Sequence, residues 1–162
     1  MLSNLKSLYF EDCILPLKEI SATLGSIATI PEVAYRIEHS AGVEILTDVA
    51  ERYIEHPKLV KTCIGTLVNL SMHDSILERM SNNLKFYEML KAVLNTYCSS
   101  WFMMEYTLRL LVNSLKNKNC LFHMSESSFV YLIKVVFDVW KLEEEVLVYL
   151  VYALRQVASH SK

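Results

Sequence analysis

A six-residue pattern returns four times along the chain at nearly constant spacing. It reads Thr23-Leu24-Gly25-Ser26-Ile27-Ala28, then Thr66-Leu67-Val68-Asn69-Leu70-Ser71. It recurs as Leu110-Leu111-Val112-Asn113-Ser114-Leu115 and as Ala153-Leu154-Arg155-Gln156-Val157-Ala158. The second position is leucine each time, at intervals of 43, 44 and 43 residues. The fourth position is always polar: Ser26, Asn69, Asn113 and Gln156. A period of about 40–47 residues is that of a repeat built from two or three helices. One such unit cannot bury its apolar face alone, so successive units must stack.

The sparse punctuation agrees. The 162 residues contain three glycines and three prolines, where average usage would give about eleven and eight. So few turn residues exclude a many-stranded β fold and leave helices joined by short corners. With 52% apolar and 21% charged residues, the chain is too hydrophobic to be disordered. Its length suits one domain with a real core.

The apolar spacing divides that domain, 1–162, into a partial repeat 1–29 and full repeats 30–73, 74–117 and 118–160. The first contributes one helix over 14–28. The others each contribute a short, a middle and a long third helix: 31–40, 43–54 and 57–72; 75–80, 84–97 and 100–116; 120–124, 127–141 and 143–159. Pro31 and Pro57 fall in first turns, where a missing N–H costs nothing. Asp74, Ser81 and Ser125 are read as helix starts or corners. Glu143, Glu144 and Glu145 sit where the helix dipole favours negative charge.

The net charge is −2 and the pI about 6.2, unlike the basic stripe of a nucleic-acid binder. The basic cluster Lys116-Asn117-Lys118, with Arg109 near it, reads as a solvated helix end. Cys13, Cys63, Cys98 and Cys120 form no C-x-x-C pair, and no basic run with an apolar segment opens the chain. The longest apolar stretches, 129–140 and 146–154, fall short of the ~20 residues that span a bilayer. A soluble, intracellular protein is expected, cytoplasmic or nuclear, without a membrane or nucleic-acid partner.

Enzymatic signatures are missing. His39, His56, His73, His123 and His160 show no metal-binding spacing, and isolated glycines cannot build a phosphate loop. Cys63 with His73, or Cys120 with His123, could be named as a nucleophile and base. Cys63 holds a small core position instead, and His123 lacks an orienting third group. No catalytic residue, cofactor or metal is expected.

The stretch from Ser40-Ala41-Gly42-Val43 through Pro57, Val60, Cys63 and Thr66-Leu67-Val68-Asn69-Leu70-Ser71 resembles the armadillo repeat. That family has an Ala-Gly corner before its second helix. Its third helix carries small residues, here Cys63, Thr66 and Ser71, around a Leu-x-Asn-Leu core. The resemblance covers nearly the whole chain as about three and a half units. It thins in the unit ending near Leu115, where Asn82-Asn83 replaces the corner and Ser114 replaces a leucine. It implies an all-α fold, a right-handed α-solenoid of armadillo-like three-helix repeats. A HEAT-like solenoid is the alternative.

On each third helix, residues four apart share a face: Lys61, Gly65, Asn69 and His73; Glu105, Arg109, Asn113 and Asn117; Val148, Tyr152, Gln156 and His160. The resemblance implies that such rows line a concave groove whose asparagines hold an extended peptide. An amide suits this because it both donates and accepts. The candidate groove residues are Lys61, Asn69, His73, Arg109, Asn113, Asn117, Tyr152 and Gln156. The asparagines can equally bond within the solenoid. Nuclear-import adaptors of the family carry Trp one turn before the Asn. Here those positions hold Gly65, Arg109 and Tyr152, so an acidic ligand fits Arg109 better, unless Glu105 pairs with it. Trp101 and Trp140 are read as core.

The expected activity is that of a non-enzymatic adaptor or scaffold for a peptide segment or helix of another protein. A regulator of an Hsp70-type chaperone, acting as nucleotide-exchange factor, and a structural subunit of a larger complex are the alternatives. The helix at 146–154 is apolar nearly all round, which marks it for burial or for docking, in a homodimer or a complex. Leu2, Leu5, Leu8, Tyr9 and Phe10 raise the same question at the other end.

Overall fold

The computed structural model describes the backbone of residues 2–160 and the side chains of 13–126 and 128–159. Among the described residues the chain is all-helical, with ten helices and no strand. They are α1 (Leu2–Ile27), α2 (Pro31–His39), α3 (Gly42–Arg52), α4 (Pro57–Leu70), α5 (Asp74–Ser81), α6 (Leu84–Tyr97), α7 (Trp101–Ser114), α8 (Lys118–Met124), α9 (Ser127–Trp140) and α10 (Glu144–His160).

Pro31 and Pro57 occupy first turns as expected. The corner before α3 works differently from a simple glycine turn. Ala41, not Gly42, takes the left-handed conformation, with φ 57°. Gly42 is needed for space, because a Cβ there would lie 2.6 Å from the Ile37 carbonyl oxygen. Asp74 lies in the first turn of α5, where its charge meets the positive helix end. Ser81 and Ser125 take the corner alternative, closing α5 and following α8. Ser81 Oγ donates to Glu78 O at 2.6 Å and Ser125 Oγ to Leu121 O at 2.7 Å. The capping falls to asparagines. Asn83 accepts from the Lys85 N–H, and Asn117 from those of Asn119 and Cys120.

Helix α1 extends back to Leu2, through Pro16, instead of starting near residue 14. The side chains of Leu2, Leu5, Leu8, Tyr9 and Phe10 lie outside the described residues.

Two rows organise the packing. Helices α1, α4, α7 and α10 pack in succession, and α3, α6 and α9 do the same beside them. Within each unit α3 lies on α4, α6 on α7 and α9 on α10. The core runs between the rows. Helix α4 is buried from two sides, with Leu59, Val60, Cys63, Ile64, Leu67 and Leu70 fully enclosed. Met103, Met104, Leu110 and Leu111 repeat this on α7.

Polar ties recur at the same interval as the sequence pattern. The Tyr97 hydroxyl at the end of α6 donates to Ile54 O, 43 residues back. The Trp140 indole at the end of α9 donates to Cys98 O at 2.6 Å, 42 residues back. Each satisfies a carbonyl just beyond the preceding middle helix. Trp140 is thus half-buried with its polar edge in use, and Trp101, tilted against it at 5.8 Å, is 38% exposed. Neither is plain core, since an indole N–H needs a partner. Arg79 of α5 ties back to Glu44 at 2.7 Å and Glu38 at 3.3 Å, and Lys85 of α6 to Asp48 at 2.9 Å.

Candidate functional site

The row α1–α4–α7–α10 carries a groove made of two adjoining hollows. One, of about 470 Å³, lies across α1, α4 and α7. The other, of about 440 Å³, lies across α4, α7 and α10. Val68, Asn69 and Arg109 line both, so the hollows form one continuous path.

The floor follows from how third helices meet. The last turn of a helix leaves carbonyls without an intrahelical partner. At the end of α1, Asn69 Nδ2 donates to Gly25 O at 2.9 Å, and His73 Nε2 lies 3.1 Å from Ala28 O. Thr66 Oγ1 reaches Ser21 O at 2.7 Å. A Cβ at Gly25 would lie 2.7 Å from that threonine oxygen, so the two helices meet at hydrogen-bonding distance only because residue 25 is glycine. One unit later Asn113 Nδ2 donates to Ser71 Oγ at 3.0 Å, while Ser71 Oγ donates to Val68 O at 2.7 Å.

The expected ladder is therefore built into the stack. Asn69 and Asn113 each commit one amide hydrogen to the preceding helix end. Both still line the groove, and Asn113 Oδ1 accepts from Lys116 Nζ at 3.5 Å. His73 is spent on Ala28. Asn117 is spent twice, capping α8 through Oδ1 and donating from Nδ2 to Glu78 at 2.9 Å. Lys61, Asn69, Arg109 and Asn113 border the hollows, whereas His73, Asn117, Tyr152 and Gln156 do not. The α10 contribution is Tyr149.

The walls are aromatic and cationic. Lys61 Nζ sits 3.6 Å from the Phe102 ring centre and 4.7 Å from that of Tyr106. Gly65 faces Tyr106 without a side chain of its own. Arg109 Nε donates to the Tyr149 hydroxyl at 3.3 Å, and its Nη1 lies 3.7 Å from Glu105. The Tyr149 hydroxyl, and then Glu105, hold the guanidinium above its ordinary pKa. Lys116 adds a third cation beside Asn113, at 3.5 Å from its Oδ1. Tyr106, Tyr149 and Lys116 escape the four-residue rows drawn from sequence. Tyr106 had one legible signal: it is the large residue facing the Gly65 gap one unit later.

The two candidate thiols sit elsewhere. Cys63 Sγ lies 3.7 Å from Ser21 Oγ, away from His73. Cys120 Sγ lies 3.4 Å from the Tyr87 hydroxyl, which also donates to Ser81 O at 2.8 Å. The His123 ring lies tilted against Tyr87, 4.5 Å between centroids. Burial pushes both thiols up to about 11, the opposite of an activated thiolate.

Among the described residues, no single helix is long and apolar enough to cross a membrane. No protein-family model and no curated protein matches the chain.

Proposed function

We propose that the chain is an armadillo-like α-solenoid that binds an extended, acidic segment of a partner protein along the α1–α4–α7–α10 groove. On this reading it is a non-enzymatic adaptor. One observation carries the proposal: a continuous groove with amides on its floor, tyrosines on its walls, and the cations Lys61, Arg109 and Lys116 along its length, of which Arg109 has the Glu105 carboxylate 3.7 Å away. Amides at one-unit intervals suit a peptide backbone, which offers a donor and an acceptor at each residue. Planar guanidinium and compact ammonium groups suit carboxylates on that peptide. The tyrosines add apolar contact area at low entropic cost. The cross-unit ties at 42–45 residues support a solenoid made of equivalent units.

The test is selection from a random displayed-peptide library, run in parallel on wild type and on Arg109→Glu/Asn113→Ala. Matched circular dichroism controls for folding. The expected result is enrichment of Asp- and Glu-containing sequences on wild type and their loss on the variant. Enrichment without acidic bias, or the same peptides on both proteins, contradicts the proposal.

A further inference from the structure

Within the stack, the side of each third helix that faces forward is covered by the next third helix. The residue three before the repeat leucine reports this. It is Ile64 on α4, 0% exposed, and Leu108 on α7, 1% exposed. On α10 the same position is Val151, which is 55% exposed. Val148 on the same side is 65% exposed and Tyr152 38%. The opposite side of α10 is buried through Val146, Leu150, Ala153 and Val157. A surface that the fold buries twice is therefore left open once, and it is apolar.

The charges that flank it indicate what covers it. Glu145, Val148, Tyr152 and Arg155 follow one another at three- and four-residue steps and share a face. Glu145 and Arg155 are exposed, and neither is engaged in an ion pair among the described residues. Reversed end for end about Leu150, the row matches itself: Glu145 falls on Arg155, Val148 falls on Tyr152, and Val151 lies beside the centre. Self-matching under reversal is the requirement of a two-fold interface, where every contact occurs twice. Opposite charges then meet at both ends of an apolar centre, and antiparallel helices also oppose their dipoles favourably.

We infer that the chain forms a two-fold dimer in which α10 packs antiparallel on α10 of a second copy, with Glu145 paired to Arg155 across the axis. This inference stands apart from the groove, which opens on the α7 side of α10. A single helix pair is a small interface, so association belongs to the weak end of specific contacts.

Sedimentation equilibrium from low micromolar to submillimolar protein tests it. Wild type dimerises. Glu145→Arg and Arg155→Glu each face like charges across the axis, and each weakens the dimer by about tenfold or more. The double exchange Glu145→Arg/Arg155→Glu restores it. An equimolar mixture of the two single variants forms a heterodimer, because both of its ion pairs are then complementary. Val151→Glu, at an exposed position, abolishes association without unfolding the chain. The inference is overturned by a wild type that stays monomeric throughout. It is equally overturned by single variants that associate as wild type does, or by a double exchange that fails to recover.

Discussion

The side-chain amide of Asn69 donates to the carbonyl oxygen of Gly25 at 2.9 Å, joining the last turn of α4 to the last turn of α1. One residue thereby closes a helix terminus and forms the floor of the groove. Asn113 repeats the arrangement through the Ser71 hydroxyl at 3.0 Å.

Replacing Asn69 with alanine leaves the Gly25 carbonyl without its donor in a half-buried site. The expected loss is about 1–2 kcal/mol, read by urea denaturation. Asn69→Asp does worse than alanine at neutral pH, because a carboxylate cannot donate and faces the negative end of the α1 dipole. Equal stability of Asn69→Asp and wild type contradicts the bond.

The corner before α3 predicts opposite outcomes at adjacent residues. Gly42→Ala drives a Cβ against the Ile37 carbonyl and destabilises the chain. Ala41→Gly relieves a left-handed alanine, a conformation costing about 1–2 kcal/mol. Part of that gain is offset by the entropy of glycine in the unfolded chain. Thermal melts are expected to show a lower Tm for the first variant and an unchanged or higher one for the second.

Buried thiols make stability fall at alkaline pH. Burial raises Cys63 and Cys120 from an ordinary 9.0 to about 11, so the folded state holds its protons longer than the unfolded state does. Their contribution is complete below pH 9 and is lost as pH rises towards 11. Denaturation midpoints are expected to be flat near neutrality and to drop across that window. The drop is smaller in Cys63→Ser/Cys120→Ser when each variant is referred to its own neutral value. In native protein the exposed Cys13 reacts with a maleimide at neutral pH well before either buried thiol.

Sequence periodicity located the helices because apolar spacing is a local property. Helix α6 runs over Leu84–Tyr97, the span its pattern predicts. The end of α4 was overrun: the pattern continues to Met72, but the helix stops at Leu70, where Ser71 folds its hydroxyl back onto Val68 O. Spacing alone does not separate helix starts from corners. Ser81, Ser125 and the capping residues Asn83 and Asn117 are all short polar side chains, and which one meets an orphan N–H depends on where the backbone turns. The groove was half legible. Lys61, Asn69, Arg109 and Asn113 follow from the repeat register. Tyr149 does not, and Tyr106 is signalled only by the Gly65 gap it faces, because which aromatic reaches the groove is set by packing between units and not by spacing within one helix.

The groove account is tested most directly by NMR titration of isotope-labelled protein with an acidic peptide taken from the library selection. The account predicts shifts at Lys61, Asn69, Tyr106, Arg109 and Asn113, with the α3–α6–α9 row unmoved. Shifts confined to that row, or to α2 and α5, contradict it.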